Sequence, residues 1–303
     1  MQLLLISSGM YGELAALATA TFWTITALAF ELASKKVGSL AVNLFRMVFA
    51  LIFLSLFNYF NRGFLFPTDA SLFSWKWLAL SGLVGFVLGD YFLFKAYQLI
   101  NSRIAMLVMT LVPPITAVSG WLLLGEVLKP IEIAGMVLTM GGISLAIVSR
   151  KQGKGKLRLS YPLKGILFAL IGAIGQAIGL VLSKYGMQEY DAFASTQIRI
   201  IAGLIGFVVI IAVLGKFSLV KTTLRNKAGM RGITIGSIFG PFLGVSFSLI
   251  AVQYTTTGVA STIMAIVPIL LILPSIILFK QKIGWLEIVG AFVSVGGVAL
   301  LFI

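Results

Sequence analysis

Neither cysteine nor histidine occurs in the 303 residues of this chain, and nine residues are aspartate or glutamate. Without cysteine there are no disulfides and no thiolate metal sites. Without imidazole, proton transfer near neutral pH falls to a carboxylate with a raised pKa or a lysine with a lowered one. Charge of any sign is scarce, at 11% of residues. The sequence also lacks an HExxH pair, a GxSxG nucleophile turn, a cluster of acidic metal ligands and a P-loop. Those gaps argue against a membrane-embedded enzyme and against ATP-driven pumping, so neither cofactor nor metal is expected.

What remains is apolar. Hydrophobic residues make up 59% of the chain and the mean hydropathy is +1.08. The apolar runs are about 20 residues long, enough to cross roughly 30 Å of hydrocarbon as helices. The pattern predicts an all-α integral membrane protein with ten transmembrane helices, near 11–33, 40–60, 76–98, 102–124, 129–149, 163–186, 192–214, 231–253, 257–279 and 284–303. The opening MQLLLISSGM has no basic n-region and no small-residue cleavage pattern, so the first span is expected to be retained.

The formal net charge is +14. Most of it lies in connections after odd-numbered spans: Lys35 and Lys36, Arg103, the run from Arg150 to Arg158, the group from Lys216 to Arg231, and Lys282. Connections after even-numbered spans hold little beyond Arg62 and Lys129. By the positive-inside rule the odd connections face the cytoplasm and both termini lie outside. Basic loops of this kind orient the chain and touch anionic lipid headgroups, and no nucleic-acid partner is expected.

A ladder of residues recurs after 155 positions. Gly85, Gly89, Ala96, Gln98, Ala105, Met109, Pro113, Glu132, Gly135, Gly141 and Gly142 return as Gly240, Gly244, Ala251, Gln253, Ala260, Met264, Pro268, Glu287, Gly290, Gly296 and Gly297. The basic segment 151–162 separates a first five-helix repeat, 1–150, from a second, 163–303. An odd number of spans per repeat makes the copies enter the membrane in opposite directions, as two inverted repeats able to open a shared cavity to each side in turn. Pro113 and Pro114 fall in the fourth span and Pro268 in the matching ninth, which makes them candidate hinges or cavity walls. Gly85 with Gly89, Gly240 with Gly244 and Gly175 with Gly179 form GxxxG pairs suited to close helix contact.

These residues resemble a known family. The segment around Trp23, the run from Gly85 through the Gly125–Glu126 pair to Gly142, and its echo from Gly240 to Gly297 are similar to the EamA-type branch of the drug/metabolite transporter superfamily. The second half departs from the pattern by carrying Lys280 and Gln281 where Gly-Glu is usual. The resemblance implies a ten-helix inner-membrane carrier, often an exporter of amino acids or related metabolites. It also implies a central cavity lined by the first, third, fourth, sixth, eighth and ninth helices.

Ionisable groups within those spans are where chemistry is sought, because burying a charge in lipid costs several kcal/mol unless something compensates it. Asp90 lies near the centre of the third span and breaks the repeat, since its counterpart is Val245. It is the candidate for binding a substrate ammonium or a coupling proton; a structural ion pair is the alternative. Tyr91 flanks it and Tyr97 lies two turns along the same face, while Trp23, Gln176 and Ser246 complete the expected substrate-binding set. Arg46 and Arg199 each sit about two turns into the second span of their half, which directs them to opposite faces as helix anchors or gates. Glu31 and Lys35 are spaced for a helical ion pair, and Glu132 and Glu287 sit in first turns where the helix dipole favours them. The expected function is secondary transport of a small organic metabolite. A channel or a non-transporting scaffold is the alternative, distinguished by counterflow.

Overall fold

The computed structural model describes residues 2–124, 130–150, 157–159, 161–254, 260, 263–280 and 283–300. The Gly125–Glu126 pair, Lys129, Gln281 and Lys282 lie outside them. The described residues are overwhelmingly helical. Helices α1 (Gln2–Val37) and α2 (Ser39–Arg62) are joined through Gly38 alone, whose φ of 84° makes so tight a reversal accessible. Then come α3 (Leu72–Gly82), a π-helical segment Leu83–Asp90, α4 (Tyr91–Val108), a 3₁₀ turn Met109–Leu111, α5 (Val112–Leu124) and α6 (Pro130–Ile147). The second half holds α7 (Leu163–Met187), α8 (Ala192–Val213), the short α9 (Ser218–Arg225), α10 (Lys227–Ser237), a second π-helical segment Ile238–Gly244, α11 (Val245–Tyr254), α12 (Val267–Leu270), α13 (Ile272–Phe279) and α14 (Trp285–Leu300).

Among the described residues six stretches are long and apolar enough to cross a membrane, Ser39–Arg62 and Leu163–Met187 being two of them, with shorter apolar helices at Ile133–Ala146, Val267–Leu278 and Trp285–Leu300. Large apolar side chains such as Phe60, Leu72 and Val213 are 79–86% exposed. Water does not tolerate such an outer surface, and lipid does. One difference from an all-α chain appears between the halves, where β1 (Val148–Arg150) pairs antiparallel with β2 (Leu157–Leu159). Backbone groups beyond the end of α6 have no helical partners, and pairing across the connection satisfies them.

The stretch Leu72–Thr116 is 45 residues long, far more than one crossing needs. It breaks at Asn101, whose φ of 63° and ψ of 165° are non-helical. Asparagine tolerates positive φ better than most residues, and here its Oδ1 accepts the amide of Ile104 at 3.2 Å as a cap. The amide of Ser102, also orphaned by the break, donates to Glu31 Oε2 at 2.9 Å. Glu31 is fully buried and also pairs with Lys35 at 2.5 Å. Its sequence role as half of a local ion pair is therefore only part of its work, for it also ties α1 to the turn between the third and fourth spans.

Glycines set the closest approaches. A Cβ on Gly175 would lie 2.7 Å from Gly89 Cα, and one on Gly179 would lie 2.8 Å from Gly85 Cα, so the GxxxG pairs of α7 and of the first π segment face each other. Gly240 and Gly244 rest instead on Thr26 and Trp23 of α1. Helices α6 and α14 meet along a reciprocal seam. A Cβ on Gly142 would lie 2.4 Å from the Ser294 nitrogen and 2.7 Å from the Gly290 oxygen. One on Gly297 would lie 2.4 Å from the Thr139 nitrogen and 2.7 Å from the Gly135 oxygen. The Thr139 hydroxyl donates to the Ser294 carbonyl at 3.3 Å, and the Ser294 hydroxyl to that of Thr139 at 3.2 Å. Every partner in one contact is replaced in the other by the residue 155 positions away, and the two helices run antiparallel.

Candidate functional site

The two π-helical segments occupy equivalent repeat positions, 155 residues apart, and both border a cavity of about 150 Å³ in the middle of the helical assembly. A π turn inserts an extra residue into the helical ladder and re-aims the side chains that follow. In the first segment this turns Phe86 and Asp90 to the cavity; in the second it presents Gly240 and Pro241, with Val245 just after them. Helix α1 contributes Trp23, Thr26 and Phe30, α4 contributes Phe94, Tyr97 and Met106, and α7 contributes Gln176. Pro113 and Pro268 close the remaining side.

Two helices that the family resemblance left out also reach the cavity, each through one arginine: Arg46 from α2 and Arg199 from α8. The expectation that they point to opposite faces does not hold. Each lies seven residues into its helix, about 10 Å below its own surface and some 5 Å short of the bilayer centre. A guanidinium on a long stem covers that distance, and both stand over the Phe86 ring, at 5.4 Å for Arg46 and 4.6 Å for Arg199.

Their bonding differs. Arg46 has a counter-ion in Asp90, although its Nη2, in ion-pair contact with that carboxylate, makes no hydrogen bond of good geometry among the described residues. Its Nη2 lies 2.6 Å from Asp90 Oδ2, its Nε donates to Asn43 Oδ1 at 2.9 Å, and Phe30 and Phe94 sit at 5.9 and 4.9 Å. Asn43 is held in turn by the Ser39 carbonyl. Arg199 has no such ion pair among the described residues, and its Nε is buried without a hydrogen-bond partner there. Asp90, 5% exposed, accepts from Gln176 through its second oxygen. Asp90, Arg46 and Gln176 thus form one buried group reaching across from α2 to α7.

Of the residues that sequence reasoning selected, Trp23, Asp90, Tyr97, Gln176, Pro113 and Pro268 line the cavity. Tyr91 does not; its ring lies 4.4 Å from the Lys95 ammonium. Ser246 is fully buried with an unpartnered hydroxyl and stands off the lining, where Ser248 is found instead. Pro114 is buried beside Pro113 without lining the cavity. Tyr97 donates to Met106 Sδ at 3.4 Å. Pro241 was not anticipated, and the signal that would have found it is a proline inside the predicted span 231–253, the rule that selected Pro113 and Pro268. Arg46 and Arg199 were legible as intramembrane charges, though not as neighbours.

Beyond the cavity, each end of the assembly carries an arginine, a carboxylate and a tyrosine. At one end Arg103 Nη2 lies 2.7 Å from Glu287 Oε2, and Tyr161 donates to Oε1 of the same glutamate at 3.1 Å. Glu287 therefore does more than meet a helix dipole. At the other end Arg62 pairs with Asp69 at 2.5 Å, and Tyr190 donates to Asp69 at 2.8 Å. Burial raises the Tyr190 phenol to about 12. Partial burial would raise the Asp69 carboxyl, but the Tyr190 hydrogen bond and Arg62 outweigh it and hold the group below its ordinary value. A depressed carboxyl pKa adds stability above the unfolded-state value and loses it as pH falls through the folded one. Asp69→Asn is thus expected to cost up to about 1 kcal/mol near neutral pH, the pair being partly exposed. Melting curves of the two proteins should converge as pH drops below about 4.

Known proteins resemble this chain along most of its length. The sequence model of the EamA-like transporter family matches residues 10–148 and again 163–303. Solute carrier family 35 member G1 of Homo sapiens is 27% identical over 192 residues, which are 61% of this chain and 51% of that protein. An uncharacterized transporter of Clostridium kluyveri is 25% identical over 180 residues, 59% of this chain and 57% of that one. The chain spans little more than half the length of these curated relatives. A solved crystal structure superposes over 95% of both chains with a TM-score of 0.61 at 18% identity, a likeness of fold alone.

Proposed function

The chain belongs to the EamA-like transporter family, and from that premise we propose that it is a secondary transporter. Its cargo is a small organic metabolite, an amino acid or related compound, carried outward across the bacterial inner membrane by alternating access. The ten spans form two inverted five-helix repeats, 1–150 and 163–303, joined by the basic cytoplasmic segment 151–162, with both termini outside. The observation that carries the reading is the buried, charged cavity bordered by equivalent π segments of the two halves. Support for the inversion comes from the α6–α14 seam. Reciprocal contacts between equivalent residues of antiparallel helices imply a local twofold axis perpendicular to both helices, which for spanning helices lies in the membrane plane. Trp23, Tyr97 and Gln176 contact the substrate, Asp90 holds Arg46 in place, and Pro113, Pro114 and Pro268 let the cavity walls bend.

Counterflow in proteoliposomes tests the function. Unlabelled solute inside should accelerate entry of the labelled solute, as a carrier requires and a channel does not. Absence of trans-stimulation across amino acids, amines and organic acids would reject the carrier. Topology has its own test, made simple by the lack of native cysteine. Lys36 and Glu189 are both exposed, on connections predicted to face opposite sides. In intact cells a membrane-impermeant maleimide should label Glu189→Cys and leave Lys36→Cys unlabelled until the membrane is opened. Labelling of both from one side would overturn the arrangement.

A further inference from the structure

We propose that the cavity receives a small organic monoanion, a carboxylate on an apolar body, with the carboxylate seated on Arg199. The assignment rests on the transporter reading for its meaning as a substrate site, but the argument for binding stands on the cavity alone. The described lining carries two arginines and one aspartate, a net charge of +1. Asp90 is spent internally, with Arg46 on one oxygen and Gln176 on the other. Arg46 is the arginine in ion-pair contact with Asp90 and is held by Asn43, although its Nη2 makes no well-aligned hydrogen bond. The excess charge therefore resides on Arg199.

Arg199 is 3% exposed, lines the cavity, and makes no ion pair within 4 Å among the described residues. Among the described residues its Nε lacks a hydrogen-bond partner, and Phe86 lies beneath its guanidinium. A guanidinium buried in this way is costly unless an anion compensates it, and its planar donors match a carboxylate. Thr26 adds a hydroxyl on the same cavity that is also buried without a hydrogen-bond partner among the described residues. The remaining walls, with Trp23, Phe94 and Met106 among them, suit an apolar body. About 150 Å³ is the size of cavity that accommodates a benzene ring, which limits the ligand to roughly that body plus its anionic group. An ammonium would meet Arg199 without a free carboxylate to receive it, so the site selects against amines and disfavours amino-acid zwitterions. Within the proposed function this favours related organic acids over amino acids themselves.

The test uses purified full-length protein and four compounds built on one benzene ring: benzoate, benzyl alcohol, benzylamine and the larger phenylalanine. Benzoate is expected to bind at least tenfold more tightly than benzyl alcohol and to raise the melting midpoint, with benzylamine producing no shift. Arg199→Gln should make benzoate and benzyl alcohol equivalent, and Arg199→Lys should restore part of the preference. Benzylamine or phenylalanine binding as tightly as benzoate to the parent protein would overturn the proposal, and that comparison needs no variant to fold. A folded Arg199→Gln protein that keeps its preference for benzoate would overturn it as well. Counterflow with labelled benzoate separates the two claims. Arg199-dependent binding without flux supports the anion site and contradicts transport, whereas flux of an amine without benzoate binding supports transport and rejects the site.

Discussion

Asp90→Ala is expected to destabilise the protein by about 3–5 kcal/mol, the usual cost of removing one partner from a buried ion pair. Arg46→Met should cost less. The difference follows from the charge left behind. Without Asp90 the cavity holds Arg46 and Arg199 together over one phenylalanine ring, two cations with no counter-ion. Without Arg46, Asp90 keeps its Gln176 contact, and Arg199 stands on the same cavity to balance it. The double variant returns the net charge to that of the parent and should recover most of what Asp90→Ala loses. Denaturation midpoints of the four proteins in one detergent check this. Parent-like stability of Asp90→Ala, or a double variant weaker than Asp90→Ala, would refute the charge balance. Arg46→Met carries a further consequence: the excess positive charge disappears, so benzoate affinity should fall although Arg199 is untouched.

The balance among these three residues shows where sequence reasoning reaches its limit. Asp90 was conspicuous in the sequence because it is charged, central and absent from the second repeat. Depth along a helix can be counted at 1.5 Å per residue, which places Asp90 near the bilayer centre and the arginines some distance short of it. What such counting omits is side-chain reach and the direction in which each helix faces. The π segments make the second omission serious, since each changes the angular register of everything after it, and no simple periodicity signals such a turn. Val245, the counterpart of Asp90, lines the same cavity because its segment carries the same turn. Glu31 teaches a similar point. Its spacing from Lys35 identified one partner, but the backbone break at Asn101 created a second, and only tertiary structure brings Ser102 against it. The small-residue pairs were legible because close approach needs a particular residue type. Their partners were not, since a glycine records that something comes near without recording what.

The seam between α6 and α14 gives the second large effect. Each of these helices contains two consecutive glycines, and within each pair the neighbours meet different surroundings. Gly142 and Gly297 press on the opposite backbone, while a Cβ on Gly141 or Gly296 would meet nothing within 4 Å. Gly142→Ala and Gly297→Ala should each destabilise by about 1–3 kcal/mol, and toward the upper end, because the obstruction is backbone rather than a movable side chain. Gly141→Ala and Gly296→Ala should be neutral or stabilise by up to about 1 kcal/mol, since alanine restricts a helix less unfavourably than glycine. Thermal unfolding of the four single variants is the measurement. Equal damage from both members of a pair would show that the close approach is not what the glycines serve. Matching losses at Gly142 and Gly297 follow from the reciprocal contacts, because each alanine would meet an amide nitrogen at the same 2.4 Å. Widely unequal losses would mean that the two helices do not share the seam symmetrically, and the inverted pairing of the halves would lose its strongest physical support.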